Sequence, residues 1–181
     1  MNHWKSTQEV LEWFDTLEYA RERSKNHSFR FVKFDIEAYY PFITRELLHK
    51  SLDFARKNGS FICKDDLNII ETARESFLFK KGISYVKKKR NDRFDVPMGG
   101  WDYAEISEIC GIYLLDRLTN EQGPFERSLV GLYCDNGLGV ANGTNRTRDK
   151  IRKQVEALFK EEVFNITTEI NMIETDFLDV C

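Results

Sequence analysis

Apolar residues recur along the chain with two alternating periods, about 3.6 and 2, and the switches between them predict its elements. Ser6 and Glu9 form an S-x-x-E capping box ahead of Val10, Leu11, Phe14 and Leu17, which predicts an amphipathic helix over residues 7–23. A polar break at 24–28 precedes an apolar run from Phe29 to Asp35, read as a strand. Thr44 then caps a helix bearing Leu47, Leu48, Leu52 and Ala55, ended near Gly59. Asp65 or Asp66 opens another helix, with Ile69, Ile70, Ala73 and Phe77 on one face. Residues 80–97 read as a basic hairpin or loop, and 101–118 as a helix carrying Ala104, Ile109, Ile112, Tyr113 and Leu115. Strands flank Asp135, and residues 144–162 form a helix with Ile151, Val155, Leu158 and Phe159 inward. The tail, 164–180, alternates well enough for one or two strands, the second at Phe177 and Leu178.

Strands separated by helices fit a parallel doubly wound sheet, but Asp135-Asn136-Gly137 implies a tight antiparallel hairpin, because Asn-Gly favours a type I′ turn. The expected class is therefore α+β, an antiparallel sheet with helices packed on one face. An N-terminal helical segment, 1–28, precedes one main domain, 29–181, that includes the basic stretch 80–97.

At 181 residues the chain can bury a real core, and 41% hydrophobic with 31% charged residues is ordinary for a globular protein. The net charge of −3 gives no global attraction to nucleic acid, so local distribution decides. Four dispersed cysteines without a CxxC pair, and three histidines without metal spacing, argue against zinc and for a reducing intracellular setting. Neither nuclear nor cytoplasmic residence is favoured. The polar N-terminus has no signal-peptide pattern, and no run reaches the ~18 apolar residues of a membrane span.

Two apolar strands each deliver a carboxylate, Asp35 in Phe-Val-Lys-Phe-Asp and Asp135 in Leu-Val-Gly-Leu-Tyr-Cys-Asp. Asp35 either caps its strand in solvent or serves a site, and Asp135 is turn chemistry, site chemistry or both. If the two meet, with Glu37 nearby, their mutual repulsion calls for a divalent cation. Two such ions roughly 3.5–4 Å apart are the requirement of two-metal phosphoryl chemistry. Tyr40, five residues after Asp35, is either core or a platform under a nucleotide sugar. Lys80, Lys81, Lys87, Lys88, Lys89, Arg90 and Arg93 put seven cations in fourteen residues, interleaved with Phe77, Phe79, Tyr85 and Phe94. That run is a solvated face or a phosphate-tracking surface with stacking groups. Pro97-Met98-Gly99-Gly100 is a glycine turn entering a helix, suited to structure or to close approach of a phosphate or base pair.

Together these residues resemble the palm of a reverse transcriptase. Phe34-Asp35-Ile36-Glu37-Ala38-Tyr39-Tyr40-Pro41 resembles its first catalytic motif, Pro97-Met98-Gly99-Gly100 its glycine turn, and Tyr133-Cys134-Asp135-Asn136 its tyrosine-x-aspartate-aspartate hairpin. The pattern, over roughly residues 29–180, is similar to reverse-transcriptase-like proteins of retroelements (retrotransposons). The resemblance implies a palm-type sheet, and the short length leaves an expectation of partial fingers and no thumb. It also implies RNA-directed DNA polymerase activity on an RNA template and DNA primer with deoxynucleoside triphosphates. Two Mg²⁺ or Mn²⁺ ions would be held by Asp35, Asp135 and the Ile36 carbonyl. Tyr40 would be the sugar gate, Gly99 would shape the nucleotide pocket, and Lys87, Lys88 or Lys89 would bind phosphate. Asn136 stands where the family has its second catalytic aspartate, and Met98 where it often has glutamine. Asn136 and the short length imply a weak or inactive copy, and the alternative is a non-catalytic nucleic-acid-binding module.

Overall fold

Four helices begin where side chains satisfy orphan N–H groups. In the computed structural model, which describes residues 2–24, 29–73, 77–86 and 102–178, α1 spans Thr7–Ser24. Ser6 Oγ accepts the Glu9 N–H (3.4 Å), and the Glu9 carboxylate accepts the Lys5 N–H (2.7 Å). Thr44 caps α2, Arg45–Lys57, by accepting the Leu47 N–H at 3.1 Å. For α3, Lys64–Ala73, it is Asp66 that reaches back to the Cys63 N–H at 2.7 Å. Two further helices follow, α4, Tyr103–Thr119, and α5, Asn145–Glu161, the latter capped by Thr144.

Seven strands lie among the described residues. They are β1 (Asn2–His3), β2 (Arg30–Ile36), β3 (Phe77–Lys80), β4 (Ile83–Val86), β5 (Val130–Tyr133), β6 (Asn136–Ala141) and β7 (Ile166–Met172). Five form a sheet in the order β1-β5-β6-β2-β7, antiparallel except for the parallel pair β1·β5. The α+β class and antiparallel centre are those expected. The parallel edge was not legible, because β1 is only two residues long and is held by its neighbours. Asn2 Nδ2 donates to the Val130 carbonyl at 3.0 Å, and the Trp4 N–H to the Leu132 carbonyl at 2.9 Å.

The chain divides into two units, one of Met1–Glu37 with Leu114–Cys181 and the other of Ala38–Tyr113. The first holds the five-stranded sheet. Along β2, Val32, Phe34 and Ile36 are buried while Phe31, Lys33 and Asp35 alternate on the other face. Phe34 packs on Phe159 of α5, ring centroids 5.4 Å apart. Across the opposite face, Leu138 and Val140 of β6 join Val10, Trp13 and Leu17 of α1, with Trp4 and Phe177. Trp4 meets both Trp13 (5.0 Å) and Phe177 (5.7 Å) edge-on. Phe177 therefore serves as a core plug at an isolated bridge, and the second tail strand expected at Phe177 and Leu178 does not form.

The sheet also accommodates an irregularity. Lys33 pairs with Glu169 and Phe31 with Met172, so β7 carries an extra residue, with Asn171 at φ 65°. Buried Arg148 of α5 clamps this bulge by donating Nε to Asn171 Oδ1 at 2.6 Å.

In the second unit Tyr39, Ile43, Leu47, Leu48, Leu52, Ile106 and Cys110 are buried. Phe77, expected on the apolar face of α3, instead begins β3, because α3 ends at Ala73. β3 and β4 form a hairpin turned at Lys81 and Gly82, both at positive φ. The basic hairpin expected over 80–97 is thus seen as 77–86, and residues 87–97 lie outside the described residues. No helix among the described residues is long and apolar enough to cross a membrane.

Candidate functional site

Asp35 stands near the end of β2, opposite Asn136 of β6 and Thr167 of β7. Asn136 in turn pairs with Tyr133 of β5. Directly opposed residues share a face, so Tyr133, Asn136, Asp35 and Thr167 form one row across four strands. Asp135 lies beside this row in the loop joining β5 to β6.

That loop differs from the expected one. Tyr133 pairs with Asn136, so the two loop residues are Cys134 and Asp135, while Asn136 and Gly137 lie inside β6. The positive φ falls on the first loop residue, Cys134 (52°), as in a type II′ turn, not on Asn-Gly. The reason is tertiary. Asn136 is laddered on both sides, and Gly137 is needed beneath the Phe34 ring, which would meet a β-carbon there.

The Asp135 carbonyl accepts the Ile36 N–H at 2.9 Å, which fixes the loop to β2 one residue beyond Asp35. Asn136 Nδ2 donates to Asp135 Oδ1, also at 2.9 Å. The Asp35 carboxyl is held above its usual range, first by burial, then by the charges of Asp135 and Glu37, against a lowering pull from Lys33. Lys33 shares the Asp35 face and donates Nζ to the Asp176 carbonyl at 3.0 Å. Exposed Glu37 is anchored through its N–H to the Asn165 carbonyl at 3.0 Å.

Gathered acids of this kind suit a divalent cation, which would relieve their repulsion. Among the described residues no cluster of three or more His, Cys, Asp or Glu side chains forms a cage. The donor set at hand is two carboxylates with nearby main-chain carbonyls. Such a set fits a hard ion that keeps water or substrate oxygens, as Mg²⁺ does.

Asp35, Ile36, Asp135 and Asn136 are thus brought together within the first unit. Tyr40 belongs to the second unit, where it opens a 3-10 turn, Tyr40–Phe42. It is half-buried, with Tyr39 and Tyr103 rings at 5.4 and 6.1 Å. Tyr39, not Tyr40, is the core residue of the pair, and its hydroxyl donates to the Ser107 carbonyl at 2.7 Å. Gly99, Lys87, Lys88 and Lys89 lie outside the described residues. Sequence reasoning missed Lys33, although period-2 alternation in β2 already put it on the Asp35 face. It also missed the hydrogen bond that the Asn136 side-chain amide donates to the Asp135 carboxylate, for which no sequence signal exists.

No protein-family model matches the chain. No curated protein matches it either. Among solved structures it is similar to apo telomerase from Candida Tropicalis truncated from its C-terminal domain, with TM-score 0.61 and 14% identity. The match covers 96% of this chain and 37% of that one, so the chain spans little more than a third of the telomerase's length. At this identity the likeness is one of fold, and the chain has a distant reverse-transcriptase-like architecture.

Proposed function

We propose that this chain is a reverse-transcriptase-like domain that engages nucleic acid and performs weak two-metal nucleotidyl transfer at Asp35 and Asp135. The observation that carries the reading is the hydrogen bond from the Ile36 N–H to the Asp135 carbonyl, beside the Asp35–Asn136 pair. It brings two acids from distant parts of the sequence together at one end of the central strands β6 and β2. The reverse-transcriptase-like fold supports the same reading.

In this reading Asp35 and Asp135, with the Ile36 carbonyl, would hold Mg²⁺ or Mn²⁺. Bound ions would supply charge stabilisation to the attacking and leaving oxygens of an in-line displacement. The chain's own residues do the rest. Strand pairing holds Asp35, the bonds from the Ile36 N–H and the Asn136 amide hold Asp135 in its loop, and Lys33 offsets part of the negative charge at Asp35. Tyr40 would exclude a 2′-hydroxyl, Gly99 would admit the nucleotide, and Lys87, Lys88 or Lys89 would neutralise phosphate. The substrates would be an RNA template, a DNA primer and deoxynucleoside triphosphates, and the origin a retroelement. Asn136 removes one negative charge from the cation's surroundings, which lowers activity.

Primer extension on an RNA template with Mg²⁺ or Mn²⁺ tests this. Wild type extends slowly, Asn136→Asp extends faster, and Asp35→Ala does not extend. Absence of extension by folded wild type and Asn136→Asp alike sinks the enzymatic reading. Asn136 also favours a second reading, a nucleic-acid-binding module without catalysis. Salt-dependent RNA retention that survives Asp35→Ala, with no extension by any variant, selects that one.

A further inference from the structure

Asn136 Nδ2 stands 2.9 Å from Asp135 Oδ1. An ionised carboxylate only accepts, so the amide must face it through N–H and not through its carbonyl. Pairing with Tyr133 and with Asp35 holds the Asn136 backbone on both sides. The Asp135 backbone is held through its carbonyl by the Ile36 N–H. With both main chains anchored, the side-chain bond fixes the plane of the Asp135 carboxylate.

We infer that Asn136 is a positioning residue that presents Asp135 to a divalent cation through a single oxygen, Oδ2. The inference rests on the proposed cation role of Asp35 and Asp135. A charge-assisted bond at Oδ1 occupies that oxygen and sets the direction of the other. Ligation through one oxygen suits a small, near-octahedral ion such as Mg²⁺, or Mn²⁺ in its place. Ca²⁺ readily takes carboxylates through both oxygens. Asn136 therefore biases the site against Ca²⁺. An ionised acid at the same position adds charge but no donor, and leaves both Asp135 oxygens open.

Two measurements on the full chain test this. In metal-free buffer, the ¹⁵N side-chain amide of Asn136, assigned by its loss in Asn136→Asp, shows one proton shifted and slowed in exchange, and Asp135→Ala abolishes both effects. Calorimetric titration with Mn²⁺ and with Ca²⁺ then compares wild type with Asn136→Ala, Asp35→Ala and Asp135→Ala. Asn136→Ala lowers Mn²⁺ affinity about tenfold and Ca²⁺ affinity much less, whereas a merely structural role lowers both alike. An amide signal indifferent to Asp135→Ala overturns the inference, as does an unchanged Mn²⁺/Ca²⁺ ratio. If the two aspartate variants lose Mn²⁺ while Asn136→Ala keeps wild-type affinities, the inference alone falls. If wild type binds neither ion, the cation role itself fails and the inference with it.

Discussion

The Phe34 ring fills the space over Gly137, its partner across β2 and β6, so closely that an added β-carbon would stand 2.0 Å from Phe34 Cζ. Gly131 and Gly139 repeat the arrangement beneath Trp4 and Phe125. Three glycines of β5 and β6 are thus set by the rings laid on them, and these strands support the Asp35–Asn136 row.

Gly137→Ala overpacks this contact and lowers stability by about 2 kcal/mol, read from urea unfolding. In a Phe34→Leu background the same change costs less, because the ring that collides is gone. Equal costs in both backgrounds would mean that the ring is not the cause.

Cys134 turns the hairpin at φ 52°, a conformation that costs an ordinary residue about 1 kcal/mol and a β-branched one more. Cys134→Gly accordingly raises the unfolding midpoint, and Cys134→Ile lowers it. Reversal of that order would contradict the type II′ assignment.

The raised Asp35 carboxyl carries a definite pH signature. Its ordinary value is 3.8, and burial leads the causes of the rise, followed by Asp135 and Glu37. Just above that value the folded chain binds more protons than the unfolded one, so this group's contribution to stability falls as pH rises toward the folded pKa. Above the folded pKa the penalty is complete. In metal-free buffer Asp35→Asn is therefore more stable than wild type near neutral pH, and the advantage fades below pH 3.8. Denaturant midpoints across that range check the sign, and a constant difference counts against it.

Cysteine reactivity separates two environments. Burial pushes the Cys110 thiol up to about 12, whereas Cys63 and Cys134 are exposed. Iodoacetamide at neutral pH labels Cys63 and Cys134 first and Cys110 only after denaturation, which peptide mass spectrometry resolves. Early labelling of Cys110 would show that the core around it and Ser51 opens readily.

Much of the architecture was legible because its signals are local. Ser6, Thr44 and Thr144 are caps whose bonds form within three residues, and all three helices begin beside them. Alternation in β2 already separated Asp35 from buried Phe34 and Ile36. Asn-Gly misled, since its turn propensity was overridden by ladder bonds and by the Phe34 ring. Phe77 misled for a related reason, because helical spacing continues past Ala73 while the chain leaves to form β3.

The residue order alone determined the helices and the central strands, and that acids stand at or just beyond two strand ends. These follow from side-chain periodicity and capping, which act over a few residues. Only the tertiary structure decided that β6 lies between β5 and β2, that Asn136 and not Asp135 opposes Asp35, and that the Asp135 carbonyl joins Ile36. Strand neighbours are selected by backbone hydrogen bonds and ring packing between residues about a hundred positions apart, a selection that no local pattern encodes.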